Sequence, residues 1–354
     1  MKLAITGGAG FIGSNFVRYI LKQYPSYSVL NLDKLTYSGN LENLADLLGN
    51  PRHLFLKKDI CDRGQLAEAL AQGVDAVVHF AAESHVDRSI LDGSEFVRTN
   101  VLGTQCLLEA ARQAGIQRFV HVSTDEVYGS ATVQEEFRED SPLAPNSPYA
   151  ASKAGSDLLA RAYYQTYRFP VIVTRCSNNF GPYQFPEKFI PLLISRAIEN
   201  QSIPIYGDGL QVRDWIFVRD HCRALDAVLH RGREGEIYNI GAGNEWPNLE
   251  IARQILKRLD KPESLLQYVQ DRPGHDRRYS IDFHKIASEL GWNPETTFEA
   301  GLANTIDWYV ANAEWRNRIQ NQAYRSYYRE QYEQRGETLA KVRNPAGGSP
   351  CASS

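Results

Sequence analysis

The sequence lacks features that would place it in several large classes of protein. Its five cysteines (61, 106, 176, 222 and 351) are dispersed and form no Cys-x-x-Cys pair, so we expect reduced thiols and no disulfide framework. The histidines never gather with cysteines or carboxylates at zinc-ligand spacing, and we predict no metal site. A net charge of −3 argues against a protein built to bind nucleic acid.

Long apolar segments are missing as well. No hydrophobic run reaches the length that spans a bilayer. Met1 and Lys2 lead directly into a strand and a glycine-rich turn, so we expect no signal peptide. We therefore predict a cytoplasmic protein without membrane association. The 354 residues, 43% hydrophobic and 23% charged, suit one large α/β domain and a smaller one.

What the chain does have is a dinucleotide-binding pattern at its start. The apolar run 2–6 is followed by Gly7-Gly-Ala-Gly10-Phe11-Ile12-Gly13 and then by a helical pattern. Glycine is needed where the backbone turns tightly and approaches a pyrophosphate, which rests on the helix N-terminus. A structural turn would also explain the glycines alone. However, a second strand, 28–33, ends in Asp33, which can accept from a ribose diol and would repel a 2′-phosphate, so we predict NAD and not NADP.

A third strand is predicted over residues 54–60, and its end would reach the adenine side of the cofactor. Asp59 can accept a hydrogen bond from the exocyclic amine, and Ile60 can pack on the ring. A helix-capping role for Asp62 in the next turn fits equally well. The sequence leaves both interpretations of this turn open.

The fourth predicted strand, 75–82, is nearly continuous in apolar residues, as a parallel strand covered on both faces should be. It ends in small residues that let a cofactor approach closely, Ala81 and Ala82. The polar residues that follow and face a substrate are Ser84, His85 and Arg88. His85 has a second interpretation, as a solvated or capping loop histidine. In the long helix predicted from 94 to 114, Thr99 and Asn100 either contact the cofactor or lie on a polar face.

The catalytic residues are predicted at the end of a buried strand, 118–123, because open α/β sheets bind ligands at the carboxyl ends of their strands. This strand delivers Ser123, Thr124, Asp125 and Glu126. After a proline-rich turn, Tyr149 and Lys153 stand four residues apart on one helix face. A phenol beside a cation, near two carboxylic groups and a hydroxyl, indicates hydride transfer coupled to proton movement.

Beyond residue 180 the strand–helix alternation loosens. We predict a Rossmann domain over 1–180, a mainly substrate-binding region over 181–315, with segments that can return to the first domain, and a helical then flexible tail over 316–354. Arg213 and Arg272 are candidates for a diphosphate clamp, because the planar guanidinium binds phosphate with two hydrogen bonds. The alternative is surface ion pairs with neighbouring aspartates, namely Asp214, Asp271 and Asp276.

The chain resembles the extended short-chain dehydrogenase/reductase family to about residue 310, and within it the nucleotide-sugar dehydratase branch. The motifs that carry the resemblance are Thr124-Asp-Glu-Val-Tyr-Gly129, Ala81-Ala-Glu-Ser-His-Val-Asp-Arg-Ser89, Asn178-Asn-Phe-Gly-Pro-Tyr-Gln-Phe-Pro-Glu-Lys188, Gln211-Val-Arg-Asp-Trp215 and Arg272-Pro-Gly-His-Asp-Arg-Arg278. Sugar-nucleotide epimerases of the same family generally lack the Asp-Glu pair. The chain departs from the branch at Arg219, where an acidic residue is usual, and around Asn244 and Asn248.

The resemblance implies an α/β fold, with a doubly wound parallel Rossmann-type sheet and a smaller mixed α/β C-terminal substrate domain. It also implies a homodimer formed through the helices that begin near Ser94 and Tyr149. The implied reaction converts dTDP-glucose to a 4-keto-6-deoxy product on bound NAD. Tyr149, with its pKa lowered by Lys153 and by the positive nicotinamide ring, starts the oxidation at C4, and Thr124 binds the C4 oxygen. Glu126 then takes the C5 proton, and neutral Asp125 protonates the departing C6 hydroxyl.

Together, the residues and the resemblance give two sets of expected contacts. The cofactor set is Gly7, Gly10, Phe11, Ile12, Gly13, Asp33, Lys34, Thr36, Asp59, Ile60, Ala81, Ala82, Ser84, Thr99, Ser123, Tyr149, Lys153 and Asn179. The substrate set is Ser84, His85, Thr124, Asn178, Glu187, Lys188, Phe189, Pro204, Tyr206, Arg213, Asn248, Arg272 and His275. The alternatives are another nucleotide-sugar dehydratase, a 4-epimerase, or a non-catalytic NAD-binding protein, and the last tends to lose the Tyr–Lys pair.

Overall fold

The computed structural model describes residues 1–320 and 322–343. Within them the strands are β1 (Lys2–Thr6), β2 (Ser28–Asp33), β3 (His53–Lys57), β4 (Ala76–His79), β5 (Arg118–Thr124), β6 (Val171–Cys176), β7 (Asn178–Phe180), β8 (Ile203–Tyr206), β9 (Val212–Phe217), β10 (Ile237–Ile240), β11 (Glu245–Pro247) and β12 (Leu266–Val269). The α-helices are α1 (Phe11–Gln23), α2 (Arg63–Leu70), α3 (Val86–Leu91), α4 (Ser94–Phe96), α5 (Thr104–Gln113), α6 (Pro148–Tyr167), α7 (Phe189–Ile198), α8 (Val218–Arg231), α9 (Asn248–Arg258), α10 (His284–Leu290), α11 (Phe298–Ala311), α12 (Ala313–Ile319), α13 (Gln322–Tyr328) and α14 (Arg335–Arg343). Tighter 3₁₀ turns lie at Leu41–Leu47, Asp125–Tyr128 and Glu263–Leu265, and wider π turns lie at Val97–Gly103 and Arg329–Glu333.

Seven parallel strands form the central sheet, in the spatial order β10-β6-β5-β4-β1-β2-β3. The chain winds outward from β1 through β2 and β3, then returns to pair β4 with the other side of β1. Because the winding direction reverses there, a crevice opens beyond the carboxyl ends of β1 and β4, which is where doubly wound sheets bind ligands. The predicted Rossmann-type fold is confirmed.

Each face of this sheet is covered by helices, as the apolar strands require. On β1, Leu3 and Ile5 pack on one side, in a core shared with α1 and α8. Ala4 lies between them in sequence and points to the opposite side, in a core shared with α5 and α6. Each fully buried aliphatic side chain of this kind contributes about 1.5–3 kcal/mol of transfer free energy. The sheet is therefore a rigid base for the loops at its carboxyl edge.

The second half of the chain adds two small sheets beyond that edge. One sheet has the order β11-β9-β7, and in the other β12 pairs in parallel with β8. Helices α7, α9 and α11 pack around them in a separate aromatic and aliphatic core. Helix α8 and strand β10 instead return to the parallel sheet, where β10 pairs with β6. The sequence division at residue 180 stays a prediction, while in space residues 218–240 belong with the first half.

The helix expected over 94–114 is interrupted by the π turn Val97–Gly103. This wider turn lies where the chain contacts the turn after β3, since a Cβ on Gly103 would lie 2.7 Å from the Ile60 side chain. It also buries Asn100, whose amide donates to the Glu83 carbonyl and to the Ser152 hydroxyl at 2.9 and 2.8 Å. Periodicity does not distinguish a π turn from the α-helix around it.

Some strand boundaries also differ from the expected ones. Strand β3 ends at Lys57 and β4 at His79, so Asp59 and Ala81 lie in turns just past the sheet. The strand β7 is absent from the sequence prediction, because its parallel pairing with β9 joins distant segments.

In the described ranges, no helix combines the length and apolar character needed to cross a membrane.

Candidate active site

The cofactor candidates line one cleft at the carboxyl edge of the parallel sheet. Every residue of the predicted cofactor set lies on its surface, together with Thr124, Asp125 and Glu126. Gly7 has a φ of +73°, and a Cβ there would lie 2.6 Å from the Ala81 backbone nitrogen. The turn therefore tolerates no side chain, and it brings the backbone to the floor of the cleft at the start of α1.

Acidic residues lie at the ends of the second and third strands, as expected. Asp33 is buried, and its carboxylate accepts from the backbone N–H groups of Ala9 and Leu35 at 3.0 and 2.8 Å. The ammonium of Lys34 lies 2.9 Å from Asp59. Asp62 caps α2, accepting from the Gln65 N–H at 3.0 Å, so the cap occurs beside Asp59 and does not replace it.

The catalytic candidates come together from two neighbouring elements. Thr124 ends β5, and its hydroxyl caps the short 3₁₀ turn that carries Asp125 and Glu126. Helix α6 begins beside them, because the Ser147 side chain accepts from the Ala150 N–H at 3.1 Å and Pro148 fits the first helical position. This start places Tyr149 on the first turn of α6, with Lys153 one turn later.

The two carboxyl groups experience different electrostatic environments. Burial, then the charges of Glu126 and Asp214, raise the pKa of Asp125 well above its ordinary value. Burial also raises the pKa of Glu126, but Arg272, Arg213 and Lys188 all act to lower it. The environment thus favours a neutral Asp125 beside an ionised Glu126, a pairing suited to one acid and one base. One oxygen of each carboxyl is buried and accepts no hydrogen bond from the described residues.

The pKa of Tyr149 differs from the expectation. Burial raises it well above the ordinary value, the Glu126 charge raises it further, and a hydrogen bond with Thr124 lowers it. The expected lowering by Lys153 is wrong for the protein alone. The Lys153 ammonium is buried and donates to the Val122 carbonyl at 2.9 Å, so it holds α6 against β5.

A second pocket adjoins the cleft and contains the substrate candidates. Its lining includes every residue of the predicted substrate set except Thr124, which lies on the neighbouring cleft. Glu126 and Asn178 line both, so the catalytic turn lies where the two meet. The second half of the chain therefore supplies the lining of a pocket that adjoins the candidate catalytic residues of the first half.

The two arginines of the expected clamp both reach this pocket, and neither forms the alternative surface pair. Arg213 is 5% exposed, lies 4.1 Å from the centre of the Tyr279 ring, and donates to backbone carbonyls. Arg272 forms its ion pair with buried Asp87 at 3.4 Å. Arg213 is buried and Arg272 is largely buried, and neither guanidinium forms an ion pair with Asp214, Asp271 or Asp276, so the two groups suit an anionic ligand.

His85 is likewise not a solvated histidine. It is 5% exposed, burial lowers its pKa, and its Nε2 lies 3.4 Å from the Glu187 carbonyl. The Tyr327 hydroxyl lies 3.4 Å from the same ring. His85 is therefore part of the wall of the substrate pocket.

Sequence reasoning missed several lining residues. Cys176 and Ser177, at the end of β6, line the cleft, and their place beside β5 was the available signal. Tyr279 and Tyr332 line the second pocket. Tyr332 belongs to the segment after Arg316, where the sequence offered helical character but no partner. Residues 344–354, the expected flexible end, lie outside the described residues.

Comparison with known proteins decides between the possible chemistries of such a site. A family model described as GDP-mannose 4,6 dehydratase matches residues 4–305. A dTDP-glucose 4,6-dehydratase from Actinoplanes sp. is 53% identical over 320 residues, covering 89% of this chain and 99% of the relative. The crystal structure of DesIV, a dTDP-glucose 4,6-dehydratase from Streptomyces venezuelae with NAD bound, matches with a TM-score of 0.88 at 54% identity, covering 90% of this chain and 100% of that one. The chain belongs to the dTDP-glucose 4,6-dehydratase family.

Epimerases share the fold of these dehydratases at lower identity. A UDP-glucuronic acid 4-epimerase from Bacillus cereus gives a TM-score of 0.83 but 30% identity, over 88% of this chain and 99% of its own. The departures of this chain from the usual dehydratase pattern replace neither member of the carboxyl pair. Arg219 is exposed on α8, Asn244 donates to Asp214 at 2.7 Å through its backbone, and Asn248 lines the substrate pocket.

Proposed function

We propose that this chain is a hydro-lyase that converts dTDP-glucose to dTDP-4-keto-6-deoxyglucose and water, a reaction of deoxysugar biosynthesis. The observation that carries the proposal is the Asp125–Glu126 pair, which lies beside Tyr149 where the two pockets meet. Oxidation alone, or epimerisation, needs no second carboxyl group. Elimination of water needs one group to remove a proton and another to protonate the leaving hydroxyl.

NAD is the cofactor that the cleft fits. The crowded glycine turn leaves the backbone and the α1 N-terminus open to a pyrophosphate, and Asp33 can hold a ribose diol at the end of β2. The small residues Ala81 and Ala82 line the floor between the turn and the catalytic residues. When bound, NAD supplies the oxidant for C4 and the reductant for C6, so it is regenerated within each turnover.

The residues at the end of β5 and the start of α6 handle the C4 hydroxyl. Tyr149 takes its proton, and Thr124 donates a hydrogen bond to the C4 oxygen. Because burial raises the pKa of Tyr149, the phenolate forms only when positive charge lies nearby. The buried Lys153 ammonium fixes the helix turn that carries the phenol, through its bond to Val122.

The carboxyl pair then removes water across C5 and C6. A ketone at C4 acidifies the C5 hydrogen, and ionised Glu126 takes that proton. Neutral Asp125 gives its proton to the C6 hydroxyl, which leaves as water, and the proton held by Glu126 returns to C5 when C6 is reduced. The raised pKa of Asp125 and the three cations around Glu126 support these opposite roles. Arg213 and Arg272 bind the diphosphate, and the thymidine nucleotide follows from the family.

Incubation of the purified protein with dTDP-glucose tests the proposal. We expect a product that develops the ultraviolet absorbance of a 4-keto sugar in base, without net formation of NADH. UDP-glucose, offered in parallel, tests the nucleotide preference. A 4-epimerised sugar nucleotide without the ketone would contradict the proposal and support the epimerase alternative.

We further propose a cytoplasmic homodimer formed through the helices at 94–113 and α6. Apolar side chains on these neighbouring helices are strongly exposed in the single chain: Val97 by 58%, Leu102 by 48% and Leu158 by 57%. Exposed apolar residues that cluster on adjacent helices indicate an interface. Leu158→Glu should then shift the mass in light scattering from dimer to monomer, and an unchanged mass would contradict this interface.

A further inference from the structure

Arg88 lies in a three-layer stack that neither pocket includes. Its guanidinium carbon is 4.1 Å from the centre of the Tyr37 ring and 4.0 Å from the centre of the Tyr327 ring. Its Nε and Nη2 atoms donate to Glu187 Oε2 at 3.1 and 2.9 Å. The side chain keeps 28% exposure, so it does not lie in the substrate pocket as the sequence suggested.

The three partners of Arg88 belong to three different parts of the protein. Tyr37 lies in the loop after β2, where its neighbours in the chain line the cofactor cleft: Lys34, Thr36, Ser38 and Gly39. Tyr327 lies in α13, in the C-terminal segment. Glu187 lines the substrate pocket. Tyr37 and Tyr327 line neither pocket, and Arg88 is the residue that both of them contact. Each hydroxyl also lies near a substrate-pocket residue, that of Tyr37 near Glu187 and that of Tyr327 near His85.

Glu187 gives the stack its relevance to substrate binding. Its side chain is 1% exposed, and a carboxylate so deeply buried requires a cationic partner. Arg88 holds Oε2, whereas Oε1 is buried and accepts no hydrogen bond from the described residues. Oε1 is therefore free to accept from a substrate hydroxyl, and its position is fixed by Arg88.

The C-terminal segment is attached to the same pocket at a second point. The Gln331 amide donates to the Tyr206 hydroxyl at 2.9 Å, and the Arg335 guanidinium lies 4.2 Å from the centre of the Tyr206 ring. Tyr206 in turn donates to Asp87, the ion-pair partner of Arg272. A movement of the C-terminal segment would therefore displace side chains in both the Arg88 stack and the proposed diphosphate site.

We propose that Arg88 is a positioning residue that couples the two pockets. The cofactor loop orders Tyr37 against one face of the guanidinium, and the C-terminal segment orders Tyr327 against the other. Both faces must be covered to hold the Arg88 fork, and with it Glu187, in the orientation that the substrate needs. The identity of the two ligands rests on the proposed function. The coupling requires only that one ligand occupies each pocket.

The first test places a change on the cofactor side and measures the substrate side. In the NAD-loaded enzyme, Tyr37→Leu removes one face of the stack, whereas the matched control Tyr37→Phe keeps it. We expect Tyr37→Leu to raise KM for dTDP-glucose about 3–30-fold at full NAD occupancy, the range of one partly desolvated cation–π contact. Tyr37→Phe keeps the ring and loses only the hydroxyl near Glu187, so it should raise KM clearly less than Tyr37→Leu does. An unchanged KM in Tyr37→Leu would overturn the coupling.

The second test is reciprocal. Tyr327→Leu should raise the Kd of NAD, measured with dTDP-glucose bound, by a similar factor, and Tyr327→Phe should not. If the stack had only a structural role, each variant would have a lower thermal midpoint. Tyr37→Leu would then change only NAD binding, and Tyr327→Leu would change only dTDP-glucose binding. That result would refute the inference. If the leucine variants do not fold, Arg88→Lys serves in their place, because it keeps the charge but loses the planar, two-pronged guanidinium. It must then weaken the binding of both dTDP-glucose and NAD.

If wild type makes no 4-keto product, the proposed function fails. Direct titration of dTDP-glucose into the same NAD-loaded variants then tests the coupling alone.

Discussion

Asp125→Asn should separate oxidation at C4 from the loss of water. Asparagine has nearly the volume of aspartic acid and keeps an oxygen for the bond from Thr124, which lies 3.3 Å away. It cannot give up a proton to the C6 hydroxyl. Because Asp125 is buried and is expected to be neutral, the change removes no native charge, so the fold and the oxidation of C4 should be retained.

The expected loss in the dehydration step is about 10²–10⁴-fold, the usual contribution of one positioned acid. This corresponds to about 2.7–5.5 kcal/mol of transition-state stabilisation. Rapid mixing with dTDP-glucose, while the nicotinamide absorbance is followed, separates the steps. NADH should accumulate in the variant together with the 4-keto glucose nucleotide. Dehydration at nearly the wild-type rate, or no NADH at all, would refute the acid role.

The pH dependence provides a second check on the same residue. An acid catalyst works only while it is protonated, so the dehydration rate should fall as pH rises through the raised pKa of Asp125. Glu126 acts as a base, so the rate should fall as pH decreases through its own raised pKa. Asp125→Asn should abolish the alkaline limb and keep the acid limb. Retention of both limbs would assign the alkaline limb to another group.

Three further outcomes follow from the contacts. Asp33→Ala should weaken NAD binding by about 1–3 kcal/mol in a titration, and equal wild-type affinity for NAD and NADP would contradict the ribose assignment. Arg213→Ala should raise KM for dTDP-glucose about 10–100-fold with little change in kcat, whereas a fall in kcat at constant KM would exclude the diphosphate contact. The side-chain hydrogen bond to Asp226, followed by the other interactions with that residue, raises the pKa of His230. The protonated imidazole therefore stabilises the fold fully below about pH 6.5, the pKa in the unfolded chain. This stabilisation is lost as pH rises through the pKa in the folded protein. His230→Gln should therefore lower the thermal midpoint more at about pH 5 than at about pH 9, and an equal loss at both would show a contribution independent of charge.

Local spacing was sufficient to predict the cofactor cleft. The glycine turn, Asp33 and the Tyr149–Lys153 pair each lie within or directly after an element with clear periodicity. Parallel strands deliver their last residues to one edge, so the residues that follow five different strands meet without further information. The acid and base roles of the carboxyl pair came from the family resemblance and stay predictions; residue type adds only that two adjacent carboxyls rarely share one pKa.

Other features depend on contacts between distant segments. The strand β7 exists only through its pairing with β9, and β10 joins the first sheet from the second half of the chain. The ion pair of Arg272 with Asp87 joins residues 185 positions apart. No periodicity indicates that Tyr327 covers Arg88, because the segment after residue 316 is rich in Arg, Gln, Tyr and Glu and shows no apolar face that would identify its partner. The raised pKa of Tyr149 depends on its burial in the fold, which composition does not reveal.

The position of a label transferred from C4 tests the central claim most directly. We predict that dTDP-glucose carrying deuterium at C4 gives a 4-keto-6-deoxy product with that deuterium at C6, because the hydride removed at C4 is returned within the same active site. Nuclear magnetic resonance of the product locates the label. Deuterium found at C4 of an epimerised sugar, or lost to solvent, would contradict the dehydration mechanism.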